Sequence, residues 1–356
     1  MNIIYVEDCC EILDSKRVPI TASERKRGEY PYYGANGIQD YVSDYIFDDE
    51  LVLLAEDGGN FGSKERPIAY KVSGKCWVNN HAHVLKPRAC INVDYLCYAL
   101  MFYNVDGMVN GATRQKLTQA AMRKMQIPFR RMEEQVHIVD ELNRLVKIKE
   151  QRQQELILLD TLIKARFVEL FGDPIINSKG LETKELNEVL VLKAGDFTAA
   201  SDISVEPTEI NIYPCYGGNG IRGYVAEYNQ EGEYSLVGRQ GALSGNVQYA
   251  TGKFKNTEHA LLVKPIIQMN SIWLNQLLLN LDLKRYQTGA AQPGLSVKNL
   301  QEIHIIMVPI DEQRQFAEFV KQIDKSKFVE RFLELSLFYG LSSPLNSEMI
   351  CIFPYF

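Results

Sequence analysis

The sequence predicts an α+β protein in which two globular domains are joined by two long helices, which pair as an antiparallel coiled coil with pseudo-twofold symmetry. Two observations predict this architecture. The pattern of the first half of the chain recurs in the second half, and each copy ends in a long segment without glycine or proline. A chain of 356 residues is long enough for two or three domains with substantial cores.

The first long segment, residues 132–171, has the composition of a helix. Leu, Ile, Glu, Lys, Arg and Gln dominate it, and these residues lose little side-chain freedom in a helix. It begins with Glu133 and Glu134, which suit the positive end of a helix dipole, and it stops at Gly172, before Pro174. At ~1.5 Å per residue the helix is about 60 Å long, which suits a spacer between two domains. Seven apolar residues follow one heptad pattern and form its predicted seam: Val139, Leu142, Val146, Leu156, Ile163, Phe167 and Leu170.

The second long segment begins at Ile310, ends at Gly340 and is shorter than the first. Its predicted apolar seam consists of Phe316, Phe319, Val320, Ile323, Phe328, Phe332 and Leu335. The apolar tail that follows, residues 341–356, does not resemble the sequence after the first helix. We therefore expect an atypical C terminus and weaker pairing of the shorter helix.

The internal repeat is clearest at a turn. Residues 30–42 read YPYYGANGIQDYV and residues 213–225 read YPCYGGNGIRGYV, nine of thirteen positions being identical at an offset of 213 − 30 = 183. The blocks that begin at His81 and His259 continue the match at an offset of 259 − 81 = 178. Each copy is therefore a globular head followed by a helix.

These observations give the predicted domain boundaries. A first head occupies residues 1–131, the central helix residues 132–171, a second head residues 172–309, the second helix residues 310–340 and the tail residues 341–356.

Within each head we expect a buried strand that runs into a glycine-rich turn, at residues 51–63 and 234–246, and a buried helix, at residues 95–103 and 272–283. The sequence also predicts one tight turn per head that needs positive φ, which glycine and asparagine tolerate. The turn residues are Gly34, Asn36 and Gly37 in the first copy, and Gly217, Asn219 and Gly220 in the second.

The composition limits the possible functions. The net charge is −6, and residues 1–131 contain 17 basic and 16 acidic side chains, so no strongly basic domain is present. The seven cysteines include no Cys-x-x-Cys pair, which argues against a disulfide framework or a zinc site. No apolar run is long enough to span a membrane and no signal segment is evident, so we expect a cytoplasmic protein.

Catalytic motifs are absent from the sequence. There is no P-loop, and the glycine clusters lack the spacing of a dinucleotide fingerprint. Asp173 and Glu182 faintly resemble a metal-dependent nuclease site, but a charged linker is the better interpretation.

A metal site is also not expected. Cys76, His81 and His83 could surround an ion, but the second copy has Leu261 in place of His83. We interpret His81 and its counterpart His259 as hydrogen-bonded structural histidines.

Polar residues in and near the repeated turns and glycine-rich blocks are the candidates for contact with nucleic acid. Arg pairs with guanine, and Gln with adenine, in the major groove, while Lys contacts phosphate. The candidates are Lys64, Arg66, Arg114, Gln115, Lys116, Arg222, Arg239, Gln240, Lys253, Lys255 and Gln292.

The order of these motifs resembles the specificity subunit of type I restriction–modification systems. The resemblance is carried by a Gly-Ala block ending in leucine, an apolar–proline pair, an acidic helix start with glutamine and a Phe-Gly-Asp-Pro helix end. In this chain they are residues 111–117, 127–128, 133–135 and 171–174, with counterparts at residues 289–295, Pro309 and residues 311–313.

The resemblance implies a non-catalytic subunit whose two target-recognition domains each read one half of a bipartite DNA sequence. It further implies two methyltransferase subunits that methylate adenine, and restriction subunits. No cofactor is expected in this chain; S-adenosylmethionine, ATP and Mg are expected in the partner subunits. The two copies share their scaffold residues but differ in polar residues, for example Glu56-Asp57 against Arg239-Gln240. This difference suits the recognition of two different half-sites.

The acidic balance of the chain leaves an alternative open. In that hypothesis the protein is a coiled-coil adaptor whose heads bind proteins rather than DNA.

Overall fold

The computed structural model describes residues 2–111, 114–289 and 294–340, and their side chains except those of residues 242 and 329–340. The contacts divide the chain into two units. The first unit contains the residues up to Arg152 and the end of the last helix, and the second unit is Gln153–Arg331.

The first head contains twelve strands and three helices among the described residues. The strands are β1 (Ile3–Tyr5), β2 (Cys10–Ile12), β3 (Arg27–Gly34), β4 (Gly37–Val42), β5 (Phe47–Asp48), β6 (Leu51–Ala55), β7 (Ala69–Val72), β8 (Lys75–Val78), β9 (Ala82–Pro87), β10 (Val109–Asn110), β11 (Lys116–Leu117) and β12 (Gln126–Pro128). The helices are α1 (Val6–Cys9), α2 (Val93–Met101) and α3 (Gln119–Arg123), and the long helix α4 (Met132–Phe171) follows.

The second head repeats this plan with eight strands in the part of the chain that the structure describes. They are β13 (Thr183–Glu185), β14 (Leu190–Ala194), β15 (Tyr213–Gly217), β16 (Gly220–Val225), β17 (Gln230–Gly238), β18 (Val247–Asn256), β19 (Ala260–Pro265) and β20 (His304–Ile306). The helices are α5 (Leu186–Val189), α6 (Ser271–Asn280) and α7 (Val297–Gln301), and the long helix α8 (Ile310–Gly340) follows.

Both heads use one strand topology. The first head has two four-stranded sheets, ordered β2-β9-β6-β7 and β4-β3-β8-β5. In the second head β17 and β18 are long enough to join the equivalent strands into one six-stranded sheet, ordered β14-β19-β17-β18-β15-β16. The predicted buried strands are β6, all of whose residues are buried, and the end of β17, where residues 235–238 are buried; the predicted buried helices are α2 and α6. The α+β prediction is confirmed.

The repeated turns form equivalent hairpins. In both copies the first and last glycines of the turn face each other, Gly34 with Gly37 and Gly217 with Gly220, and each hairpin has a bulge at the same place. The positive φ that each turn needs is taken by its last glycine, Gly37 at +106° and Gly220 at +99°, and not by Asn36 or Asn219.

The asparagine and the first glycine of each turn have other roles. Asn36 donates a hydrogen bond to the carbonyl of Gly58, and Asn219 accepts one from Asn246. These bonds attach each turn to the glycine-rich loop of the same head. Gly34 leaves room for the side chain of residue 39, which would clash with a Cβ at that position.

Helices α4 and α8 pair in antiparallel orientation within the second unit. The rings of Phe167 and Phe316 lie 5.5 Å apart, whereas Asp160, two turns earlier in α4, binds Lys327, three turns later in α8, at 2.6 Å. As numbering falls along α4 it rises along α8, which confirms the predicted antiparallel pairing over this part of the helices.

The seam between these helices differs from the heptad prediction at two positions. Leu170 is 36% exposed and Phe328 is 69% exposed, and the buried residue at the end of α4 is Phe171. Ile163, Phe167 and Phe171 are four residues apart, a spacing that suits a straight helix packed on a globular core more than a long supercoil. Phe332 and Leu335 belong to α8, but their side chains lie outside the described residues.

A buried glutamine joins each head to the helix that follows it. Gln135 accepts a hydrogen bond from the backbone N–H of Asn92 and donates to the carbonyls of Cys90 and Arg130. In the second copy Gln313 accepts from the N–H of Asn270 and donates to the carbonyl of residue 308.

The first head also contains a buried polar network. The Nδ1 atom of His83 lies 2.7 Å from Asp14, and Arg17 contacts both Asp14 and Glu56. His83 is thus a buried histidine of this network, whereas His81 is partly exposed and lies 3.3 Å from the Arg114 guanidinium. Asp14, Glu56 and His83 lie close enough to bind an ion, but the Arg17 guanidinium already supplies the positive charge between the two carboxylates.

The network changes the acidity of Asp14. Burial favours the neutral acid, but hydrogen bonds from His83, Gln119 and the Val84 N–H outweigh burial and lower the pKa of Asp14. Because the pKa is lower in the folded state than in the unfolded state, this carboxylate stabilises the head above the unfolded pKa. That stability is lost as the pH falls through the lowered value.

Within the described ranges, no helix combines the length and the apolar character needed to cross a lipid bilayer.

We predict that Phe167→Ala destabilises the second unit by about 3–5 kcal/mol, because the ring is buried against Phe171, Trp273 and Phe316. Phe328→Ala on α8 is the matched control and should change stability by less than about 0.5 kcal/mol. Urea unfolding followed by the fluorescence of Trp273, in a Trp77→Phe background, measures both. Equal effects of the two substitutions would contradict the assigned seam.

We predict that Asp14→Ala destabilises the first head by about 3–5 kcal/mol at pH 7, because it removes the carboxylate that binds the buried His83 at 2.7 Å and also pairs with Arg17. The exposed Asp8→Ala is the control. Hydrogen exchange of peptides covering residues 82–87 reports the effect, with peptides of the second head as internal reference. Below about pH 4 the wild-type protein should lose stability more steeply than the variant. If the stability of the wild type and of the variant changed in parallel with pH, the Asp14–His83 pair would contribute no pH-dependent stability.

Candidate nucleic-acid interface

The glycine-rich loop after β6 is held between two other segments of the first head. The backbone N–H of Glu56 donates to the carbonyl of His81 at 2.9 Å, and the N–H of Leu117 donates to the carbonyl of Glu56 at 2.8 Å. Asp57 and Lys116 form a β-bridge beside these bonds. The loop thus presents residues 56–58 next to residues 114–116, which lead into β11.

The loop after β17 has the same backbone frame. The N–H of Arg239 donates to the carbonyl of His259 at 3.1 Å, and the N–H of Leu295 donates to the carbonyl of Arg239 at 2.9 Å. Gln240 and Gly294 form the bridge that corresponds to Asp57 and Lys116. The repeat offsets, 183 before the deletion and 178 after it, relate these two hydrogen bonds and this bridge to those of the first head.

The side chains on the two frames differ. In the first head Arg114 binds Asp57 at 2.6 Å and lies 3.3 Å from Nδ1 of His81, while Lys116 binds Glu56 at 3.0 Å. Burial opposes ionisation of Glu56, but hydrogen bonds from Arg17 and Lys116 lower its pKa, so the acid is charged at neutral pH. The two basic candidates are therefore positioned by ion pairs.

The second head presents an amide at the equivalent place. Oε1 of Gln240 lies 2.9 Å from Nδ1 of His259, whose Nε2 lies 3.1 Å from Glu258. Gln240 is exposed and Arg239 is half-buried. Gln292, the counterpart of Arg114, lies outside the described residues.

A polar cleft of about 480 Å³ opens beside the first frame. Its lining comes from the repeated turn, the glycine-rich loop and the segment before β11, and includes Arg25, Tyr32, Asn36, Asp57, His81 and Arg114. The guanidinium of Arg25 lies 4.3 Å from the centroid of the Tyr32 ring. Donors and acceptors converge here from several elements, which suits a surface that recognises the polar edge of a ligand.

The remaining candidates of the first head lie on its surface. Lys64 and Arg66 are exposed on the loop that leads to β7, where the Ser63 hydroxyl accepts from the Arg66 N–H. Gln115 is exposed, and its carbonyl accepts from the N–H of Gly58.

The second head places its other basic candidates around β15. Arg222 is exposed, and its side chain covers Gly217, where a Cβ would clash with it. Lys255 is half-buried and lies 3.7 Å from Asp196, whereas Lys253 is exposed and lies 4.9 Å from the centroid of the Tyr228 ring.

Sequence reasoning missed Arg17, Arg25 and Lys75. Arg17 holds Glu56 and has no recognisable counterpart, so no sequence signal marks it. Lys75 lies at the position equivalent to Lys253, 253 − 75 = 178, so the repeat itself could have identified it.

The nuclease hypothesis finds no support in the geometry. Oδ1 of Asp173 accepts from the N–H of Ile175 in a local turn that follows α4. Within the described residues, the acids and histidines close enough to share an ion are Asp14, Glu56 and His83, and neither Asp173 nor Glu182 is among them.

Comparison with protein families gives one clear match. The model of the type I restriction modification DNA specificity domain matches residues 1–158 and, a second time, residues 178–331.

Two curated relatives match parts of the chain. The specificity subunit of the type I restriction enzyme EcoprrI from Escherichia coli is 43% identical over 141 residues, which cover 40% of this chain and 35% of that protein. A putative type I specificity subunit, S.HindORF215P from Haemophilus influenzae, is 36% identical over 143 residues, which cover 40% of this chain and 37% of the relative. The aligned part is thus little more than a third of each relative.

Solved structures share the fold over nearly the full chain. The type I restriction–modification S subunit from M. genitalium has a TM-score of 0.59 at 16% identity, covering 97% of this chain and 95% of the other. A structure described in terms of complex assembly and conformational transition of the type I R-M system has a TM-score of 0.54 at 14% identity, covering 94% of each chain. Because the family model covers most of both halves of the sequence, this protein belongs to the family of type I restriction modification DNA specificity domains.

Proposed function

We propose that this protein is the DNA sequence-recognition subunit of a type I restriction–modification complex, in which each head reads one half of a bipartite target. One observation carries the proposal. The two heads keep the same backbone frame around residues 56 and 239 but present different polar side chains on it. Two copies of one scaffold with different donors and acceptors suit two different half-sites, because the major-groove edge of each base pair has its own pattern of such groups.

The chemistry of this surface is binding rather than catalysis. Gln240 offers the amide that pairs with the N6 and N7 edge of adenine, and Arg114 offers the guanidinium that pairs with guanine. Arg114 would give up its ion pair with Asp57 to contact a base. The affinity of the first head therefore depends on the difference in free energy between that ion pair and the base contact. The adaptor alternative gives no reason for one frame with two different polar surfaces.

The proposal includes two methyltransferase subunits that modify adenine, and restriction subunits. S-adenosylmethionine, ATP and Mg belong to those partners in this scheme. In this scheme the partners also supply positive charge that contacts the DNA backbone, because a chain with net charge −6 does not enclose DNA well by itself.

Helix α4 offers a surface for such a partner. Ile157, Leu158 and Leu162 are 58%, 56% and 45% exposed, on the side of the helix that faces away from Ile163 and Phe167. A helix with one apolar face in the core and a second in solvent is suited to bind another helix.

We predict that Gln240→Ala relaxes recognition at one position in one half of the target. Loss of a bidentate amide contact should reduce discrimination by about 1–3 kcal/mol at that base pair. Sequencing of methylated adenines, in cells that express the variant with its methyltransferase, measures the motif. The exposed Gln301→Ala serves as control and should leave the motif unchanged.

Two results would contradict the proposal. The first is a complex that binds random duplex as tightly as duplex with the methylated motif. The second is a domain exchange, with the head of a relative, that alters neither half of the motif, as the adaptor hypothesis expects.

We predict that Ile157→Asp combined with Leu158→Asp weakens binding of the methyltransferase subunit at least tenfold, or about 1.4 kcal/mol, because it places charge in an apolar contact. Ile176→Asp, at an exposed isoleucine outside the helix, is the control. Copurification and sedimentation measure the binding, and circular dichroism should show unchanged folding. Undiminished binding by the double variant would exclude this face as the docking surface.

A further inference from the structure

The first head carries a compact surface cluster of two tyrosines and a lysine. The rings of Tyr30 and Tyr45 lie 5.1 Å apart in an edge arrangement. The ammonium nitrogen of Lys75 lies 4.7 Å from the centroid of Tyr45 and 5.8 Å from that of Tyr30. We call Tyr30, Tyr45 and Lys75 the first tyrosine–lysine cluster.

The second head carries the same cluster. The rings of Tyr213 and Tyr228 lie 5.0 Å apart, and the ammonium nitrogen of Lys253 lies 4.9 Å from the centroid of Tyr228. These residues form the second tyrosine–lysine cluster. The offsets are 213 − 30 = 183, 228 − 45 = 183 and 253 − 75 = 178, which are the offsets of the repeat on either side of its deletion.

The clusters occupy equivalent positions in the sheets. Lys75 lies opposite Asp48 in the strand ladder, and Lys253 lies opposite Glu231, the equivalent acid. In both heads the lysine nitrogen nevertheless rests near a tyrosine ring. The geometry of the cluster is therefore kept as a unit in two domains that differ in the polar side chains of their loops.

Packing of the core does not account for this preservation. Tyr45 and Tyr228 are 38% and 40% exposed, and both lysines are exposed. The electrostatic effect of Tyr45 raises the pKa of Lys75, and a hydrogen bond with Tyr228 raises the pKa of Lys253, so both ammonium groups are charged at neutral pH. A charged group with neighbouring hydroxyls, held on the surface of each head, has the chemistry of a phosphate contact.

We propose that the two tyrosine–lysine clusters are the common contacts of the heads with the sugar–phosphate backbone of DNA. The lysine ammonium and the tyrosine hydroxyls bind phosphate oxygens and set the orientation of each head, independently of sequence. This inference rests on the proposed function. It divides the surface into a part that is the same in both heads and contacts phosphate, and a part that differs and reads bases.

The test is the salt dependence of DNA binding by the complex with its methyltransferase subunits. For each of Lys75→Ala and Lys253→Ala, the slope of log K against log salt should decrease in magnitude by about 0.9, the value for one lost phosphate contact. The affinity for duplex with the motif and for random duplex should fall by the same factor, and the methylated motif should not change. Lys124→Ala in the first head and Lys298→Ala in the second are controls, because their repeat counterparts are not lysines.

Tyr45→Phe and Tyr228→Phe keep the rings and remove only the hydroxyls. They should lower the affinity of the complex for both duplexes by the same factor, while the thermal unfolding of the protein stays unchanged. The inference would be overturned if the substitutions at the two lysines and the two tyrosines behaved like the controls while the wild-type complex still discriminated its motif. A changed motif would also overturn it, because the clusters would then read bases. A wild-type complex without any sequence preference would refute the proposed function itself.

Discussion

The attachment of each long helix to its head depends on one buried hydrogen-bonded side chain. Asn92 caps helix α2 with its side chain, and its backbone N–H donates to Gln135 in the first turns of α4. The side chain of Gln135 also donates to the carbonyl of Arg130, just before α4 begins. Because an amide has both donors and an acceptor, it satisfies the start of one helix and the cap of another in a site that excludes water. The loss of these bonds would leave buried polar groups unpaired, at about 1–3 kcal/mol each.

The repeat places the same device in the second head, which makes each head and the start of its helix a single structural element. Asn270 caps α6 and donates to Gln313. Such a junction separates the scaffold from the surface, since loops can change their polar residues without altering the angle at which the helix leaves the head. Differences between the heads accordingly lie in loops and strand lengths, such as the interrupted β6–β7 pairing against the continuous β17–β18 pairing.

The sequence predicted the elements whose signals are local, and failed where distant residues decide. The helix α4 follows from composition and from the glycine at its end, and the hairpins follow from their repeated turns. By contrast, no spacing shows that Arg17 reaches Glu56 or that Asp14 holds His83, because these partners meet only through the sheet. The heptad pattern wrongly placed Leu170 in the seam because it assumed a supercoil where the helix packs on a globular core. In the candidate site, the repeat indicated the loops, but the ion pair that holds Arg114 required the structure.

Under the proposed function, ion pairing explains how a protein with net charge −6 can form a surface that recognises DNA. Free arginines and lysines would attract phosphate strongly and without discrimination, whereas Arg114 and Lys116 are each held by a carboxylate of the loop that they face. Non-specific binding at these two residues then yields little, because a contact of Arg114 or Lys116 with DNA must replace an existing ion pair. A base edge with matched acceptors compensates this loss better than a phosphate alone, since it returns two directed hydrogen bonds to the guanidinium. Under the proposed function, the acidic residues Glu56 and Asp57 therefore favour specificity at the expense of affinity.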